Sequence, residues 1–328
     1  MADTYRVPSI DALRFIGISC IILAHVLGPG SLLFQLRSFD VPLMVFVSGL
    51  VNARKATPDY GKYLVHRGLR LLIPVWLFYT LYFAVLWVLS QVSAAFSFPT
   101  WSEIGRTYLC LEGYGWIIRV FLLLMLASPL LVRLEQRLSN PLAYLALIAG
   151  CLGLSAILAP LLNGDSILVK DLWEGCVLFL VGYAPAYLAG LRMRYASRIE
   201  QAIYAAAFTL AALAYFLRPG VVFNLEAYKW PPQVPFMLYG MAVSCLLWMC
   251  RPFPDALAKV RPAVFIGQNT IWIYLWHVMA LVFVFRITDI WPVQYCLVFG
   301  ASVIIFLIQY KLVKNKAKTS FAHRYLIG

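Results

Sequence analysis

Two side chains in the first apolar stretch have the types and spacing to do chemistry together. Between Ile10 and Leu27 the residues are apolar or small except for Asp11, Arg14 and His25. On a helix, eleven residues come to about 20° past three full turns, so Arg14 and His25 share a face about 16.5 Å apart along the axis. Asp11 precedes Arg14 by one turn and joins that face. An ionisable group inside a membrane span costs about 2.5–3.5 kcal/mol and is expected to face a cavity or the bundle interior. Imidazole titrates near neutral pH and suits a general base, whereas a guanidinium holds anions. The structural alternative is that Arg14 snorkels with Asp11 as its ion partner while His25 donates a hydrogen bond at the other interface.

Other ionisable residues fall in or beside apolar runs. His277, one of four histidines, sits deep in Ile271-Trp272-Ile273-Tyr274-Leu275-Trp276-His277. Arg67 and Arg70 are three apart at the head of another run, hence on one helix face, where they act as basic anchors or as a cationic fork. With Arg14 at the same depth, three guanidiniums could converge on the phosphates of an anionic ligand such as coenzyme A. Arg119 lies about a turn and a half inside a fourth run, and Asp40, Glu112, Asp171 and Glu174 stand at helix starts on the His25 side. Any of these carboxylates could orient His25 by accepting its second ring N–H. Asp40 is favoured because consecutive helices are usually neighbours. Ser48-Gly49 has no nucleophile elbow around it and reads as a close-packing helix pair.

These residues must be positioned by a membrane bundle. The chain has 328 residues, is 62% hydrophobic and only 12% charged, with a mean hydropathy of +0.81, where a soluble domain carries about 25% charged residues. Apolar runs predict about ten transmembrane helices, near 10–27, 39–53, 69–92, 114–132, 141–160, 172–190, 200–217, 234–250, 264–286 and 291–312. Residues 1–328 then form one all-α integral membrane domain, with the first run retained rather than cleaved as a signal peptide. The net charge of +13 comes from residues scattered over short loops, which argues against nucleic-acid binding. With the N-terminus inside, nineteen Lys and Arg residues fall on the cytoplasmic side, Arg6, Arg54, Lys55 and Lys318 among them, against six outside. That bias predicts both termini in the cytoplasm, which requires an even number of spans. The seven cysteines include no C-x-x-C pair, so neither a disulfide framework nor a metal site is expected.

The order of motifs resembles the acyltransferase-3 family of membrane acyltransferases. It runs Ile10-Asp11-Ala12-Leu13-Arg14 with His25, then Val41-Pro42-Leu43-Met44-Val45-Phe46-Val47-Ser48-Gly49, then Arg67-Gly68-Leu69-Arg70-Leu71-Leu72-Ile73-Pro74. Trp116 through Pro129 and Ile273 through His277 look like later helix signatures of that family. The departures are Met44-Val45-Phe46 before Ser-Gly, where an aromatic pair is usual, and Leu50 after it, where an aromatic residue is familiar. The resemblance implies a ten-helix enzyme of the bacterial inner membrane. It would move an acyl group, commonly acetyl, from cytoplasmic acyl-CoA to a cell-surface glycan or its lipid-linked precursor. Arg14 with His25, and Arg67 with Arg70, match the family's paired motifs. His25 and Asp40 are then the expected catalytic groups, and Arg14, Arg67 and Arg70 the donor-binding ones. Arg119, Glu174 and His277 are left for the acceptor, with membrane lipid as surroundings and no metal cofactor. The rival is a glycolipid transporter or flippase with these residues along a translocation path, but the paired broken helices of inverted repeats are not found.

Overall fold

The computed structural model describes residues 7–53, 59–162, 166–167, 169–317 and 320–327, and among them only helices, turns and bends occur. Arg6, Arg54, Lys55 and Lys318 of the basic set lie outside the described residues. The α-helices are α1 (Pro8–Ala24), α2 (Leu32–Leu36), α3 (Asp40–Asn52), α4 (Tyr60–Val92), α5 (Trp101–Tyr108), α6 (Trp116–Arg137), α7 (Pro141–Leu158) and α8 (Phe179–Met193). They continue with α9 (Arg198–Phe216), α10 (Val234–Met249), α11 (Pro252–Leu257), α12 (Arg261–Gln268), α13 (Thr270–Val284), α14 (Trp291–Val313) and α15 (Phe321–Leu326). A π-helical stretch, Val169–Leu178, leads into α8.

Every apolar run read from the sequence is helical over most of its length, and the chain is a multi-pass membrane protein. Seven stretches among the described residues are long and apolar enough to cross a bilayer, or eight if α12 and α13 count as one. The difference from ten has physical causes. The helices α1 and α10 hold 17 and 16 residues, short of the roughly 20 that span the hydrocarbon. The run at 264–286 is broken at Asn269, whose Nδ2 donates to the Phe265 carbonyl at 2.7 Å and takes up a helix-end carbonyl. Conversely, α4 starts at Tyr60, nine residues before the apolar run, because Asp59 caps it by accepting from the Lys62 N–H at 3.2 Å. Arg67 and Arg70 therefore lie within α4 rather than at its head.

The chain divides into two compact units, residues 1–57 with 126–270, and residues 58–125 with 271–328. In the first, α3 and α8 touch backbone to backbone. A Cβ on Gly49 would come within 2.2 Å of the Tyr187 carbonyl oxygen, and one on Gly190 within 2.0 Å of that of Phe46. Only glycine allows this approach, which replaces side-chain packing by main-chain contact as membrane helices do. Ser48 is spent locally, its hydroxyl donating to the Met44 carbonyl at 3.0 Å. The start of α1 meets α12 in the same manner, with Gly267 against the Asp11 carbonyl. Arg192 ties the α6–α7 turn to α9, donating to Leu138 and Ser139 carbonyls and to Glu200. The second unit is organised around rings from α4, α5 and α13, among them Phe78, Tyr79, Tyr82, Phe83, Tyr108 and Trp276.

Candidate active site

The helix α1 runs without a break from Pro8 to Ala24, and His25 is its C-cap, still in right-handed helical conformation. The eleven-residue offset between Arg14 and His25 is thus realised on one continuous helix. Near its start, Arg14 Nη1 donates to Asp11 Oδ1 at 3.0 Å, with Asp11 buried and Arg14 28% exposed. The other Asp11 oxygen accepts from Gln268 Nε2 at 3.3 Å. Asp11 thereby holds the guanidinium to the helix and leaves part of it open, as an anion-binding cation requires. Beside it, Ser9 Oγ donates to Asp255 of α11.

The His25 end of the first unit is assembled from α1, α2, the start of α3, α8, the 217–233 connection and α10. His25 is half-buried there, and Lys229 and Arg37 are among the charges that reach it. Arg37, the C-cap of α2, donates from Nη1 to Asp40 Oδ2 at 2.8 Å. Both side chains are 3% exposed, so this ion pair is fully withdrawn from solvent. The second Asp40 oxygen accepts the Val41 N–H at 2.7 Å. Phe34 lies 3.9 Å under the guanidinium carbon. Gln35 staples the connections, donating to the Pro29 carbonyl and accepting the Leu225 N–H, each at 2.7 Å. The Tyr239 hydroxyl of α10 donates to the Leu36 carbonyl at 2.6 Å. Lys229 pairs with Glu226 at 3.4 Å, and Cys20 of α1 feels the same Asp40 and Arg37 charges.

Of the residues singled out from the sequence, Arg14, His25, Asp40 and Glu174 belong to this unit, and His25 and Asp40 share its assembled end. Glu174 is half-buried in the π-helical stretch. Arg67, Arg70, Arg119 and His277 belong to the other unit. Along α4, Arg67 lies over the Tyr63 ring at 5.6 Å and Arg70 is exposed. Arg119 on α6 acts electrostatically on Cys110. His277 is fully buried, its Nδ1–H donating to the Tyr274 carbonyl, which leaves Nε2 as the basic nitrogen. The Tyr274 hydroxyl in turn donates to the Tyr114 carbonyl at 2.5 Å, and the Tyr114 ring meets His277 edge-on. Glu112 is held by Arg106 at 2.5 Å.

The structure adds two residues that the motifs do not mark: Arg37, one of the six basic residues on the outer side of the charge count, and Tyr183, a buried aromatic on α8. The available signal for Arg37 was its place three residues before Asp40, the same one-turn interval that joins Asp11 to Arg14. Nothing in the sequence marked Tyr183, because its surroundings come from α3 and α10.

No curated protein and no solved structure matches this chain. An acyltransferase domain model matches residues 7–311, which contain every residue of both motif pairs and all of the helices that carry them. The chain accordingly belongs to the acyltransferase-3 family and is a membrane acyltransferase by that membership.

Proposed function

We propose that the protein moves an acyl group, acetyl in the simplest case, from cytoplasmic acyl-CoA to a hydroxyl of a cell-surface glycan or its lipid-linked precursor. Its setting would be the bacterial inner membrane, with ten spans and both termini in the cytoplasm. The observation that carries this reading is a single continuous helix bearing an anchored, partly open guanidinium near one end and an imidazole at the other. Arg14, Arg67 and Arg70 would hold the phosphates of the donor, since guanidinium groups suit a polyanion. The pantetheine arm then has an offset of about 16.5 Å along α1 to cover before the thioester meets His25.

His25 would take the acceptor hydroxyl proton as the oxygen attacks the thioester carbonyl. Asp40 accepts one bond at each oxygen in the resting chain, and each oxygen has a second lone pair with which to orient the imidazole. Arg119, Glu174 and His277 would contact the acceptor. Direct transfer is favoured over an acyl-enzyme because Ser48 is bonded to its own helix.

The test is thiol release from acetyl-CoA by the purified protein in detergent, with an extract of lipid-linked glycans as acceptor. Release that depends on the acceptor is expected. His25→Ala should lower it by about 10²- to 10⁴-fold, the usual worth of a general base. A His25→Ala protein that turned over at the wild-type rate would remove the mechanism.

A further inference from the structure

Arg37 and Tyr183 are both enclosed, and each keeps donors that nothing in the described chain accepts. Arg37 spends Nη1 on Asp40, while its buried Nε and Nη2 have no hydrogen-bond partner among the described residues. The Tyr183 hydroxyl, on a fully buried side chain between the rings of Phe179 and Phe236, is likewise unpartnered there. An unsatisfied buried donor costs about 1–3 kcal/mol, more when it is charged, and native chains rarely carry one without a reason. These two are not scattered. Asp40 grips Arg37, and Asp40 is also the first of the charges acting on Tyr183, ahead of Glu226. Arg37 is in turn among the cations whose charge reaches His25. The unpaired donors are therefore those of Arg37, which binds Asp40 at the end of α2, and of Tyr183 on α8, which lies within reach of the same carboxylate's charge.

We infer that Arg37 and Tyr183 are the donor set for the anionic oxygen that forms when the acyl thioester is attacked. The inference rests on the acyl-transfer reading and extends it to two residues outside the Arg14–His25 and Arg67–Arg70 pairs. The acceptor oxygen bonds to the thioester carbon while its proton passes to His25. The carbonyl electron pair moves onto oxygen, where the Arg37 N–H edge and the Tyr183 O–H meet it. On collapse that pair re-forms the carbonyl, the carbon–sulfur bond breaks, and the CoA sulfur leaves with the proton from His25. Asp40 and Phe34 hold the guanidinium plane before substrate arrives, so little reorganisation is needed when charge develops. A negative oxygen gains far more from these donors than a neutral carbonyl does, which puts the benefit in the transition state.

The experiment is steady-state kinetics of acetyl-CoA thiol release, with the same lipid-linked glycan extract, on Arg37→Lys, Tyr183→Phe and the paired Arg37→Met/Asp40→Asn variant. Arg37→Lys keeps the charge facing Asp40 and loses the planar fork. Its kcat should fall about 10²- to 10³-fold, as when one oxyanion donor is removed, with the KM for acetyl-CoA within about threefold of wild type. Tyr183→Phe removes an oxygen with no hydrogen-bond partner among the described residues, so a merely structural role predicts unchanged kcat and equal or higher Tm. A kcat loss of about tenfold or more is expected instead. If Arg37→Lys does not fold, Tyr183→Phe carries the test by itself, because the double variant also loses the carboxylate that orients His25 and reports only on whether the buried pair can be removed without unfolding. Folded variants with wild-type kcat, or with changes confined to KM, would overturn the inference and leave the acyl-transfer reading standing. A folded wild-type protein that releases no thiol would overturn that reading, and the inference with it.

Discussion

At the scale of single residues, the two ends of α1 are held by ion pairs of opposite character. Arg14 is 28% exposed beside a buried Asp11, so the pair anchors without fully desolvating the cation. Replacing Arg14 by Gln should raise the KM for acyl-CoA more than it lowers Tm, measured by initial rates and thermal unfolding of the same preparation. Arg37 and Asp40 are enclosed together, and a buried pair broken on one side leaves an uncompensated charge. Asp40→Ala should therefore destabilise the protein by about 3–5 kcal/mol, while Arg37→Met/Asp40→Asn should cost clearly less. Denaturant or thermal melts of the three proteins decide this, and equal losses for the single and double variants would contradict the account.

Among the elements, glycine sets which helices come close enough to carry the site. Placing a Cβ on Gly190 would drive it into the Phe46 carbonyl, whereas a Cβ on Gly150 of α7 meets nothing within 4 Å. Gly190→Ala should lower the yield of folded protein sharply, because α3 must part from α8 and Asp40 and Tyr183 separate with them. Gly150→Ala should be neutral or slightly stabilising, since alanine favours the helix by about 1 kcal/mol over glycine. Size-exclusion profiles of the two variants in detergent provide the comparison. The roles of Gly49 and Ser48 as a packing pair were readable from their adjacency in an apolar helix, but their partner, the backbone of α8 about 140 residues later, was not. Likewise the break at Asn269 is visible only once the Asn side chain is seen bonding the Phe265 carbonyl, since the flanking residues 264–286 read as one apolar run.

For the whole molecule, the charge bias makes a topological claim that labelling can check. With both termini inside, a cysteine placed at exposed Val222 should react with a membrane-impermeant maleimide in intact cells, after the seven native cysteines are replaced. One at exposed Tyr60 should react only after permeabilisation. The reverse pattern would invert the protein and move His25 to the cytoplasmic side. Labelling at both positions in intact cells would require an even number of spans between them.

What the sequence by itself determined is what depends on local pattern. Runs of apolar residues must be helical in lipid because each backbone polar group needs a partner within its own segment. An eleven-residue interval puts Arg14 and His25 on one face by helix geometry alone, and the motif order carried the family. Tertiary structure alone decided which polar groups share an enclosed space. Arg37 looked like one more loop cation and Tyr183 like one more apolar ring, because their meaning depends on Asp40, on Phe34 beneath the guanidinium and on buried donors left without acceptors among the described residues. Burial and hydrogen-bond satisfaction are properties of the packed chain, set by helices far apart in sequence, and a local pattern does not encode them.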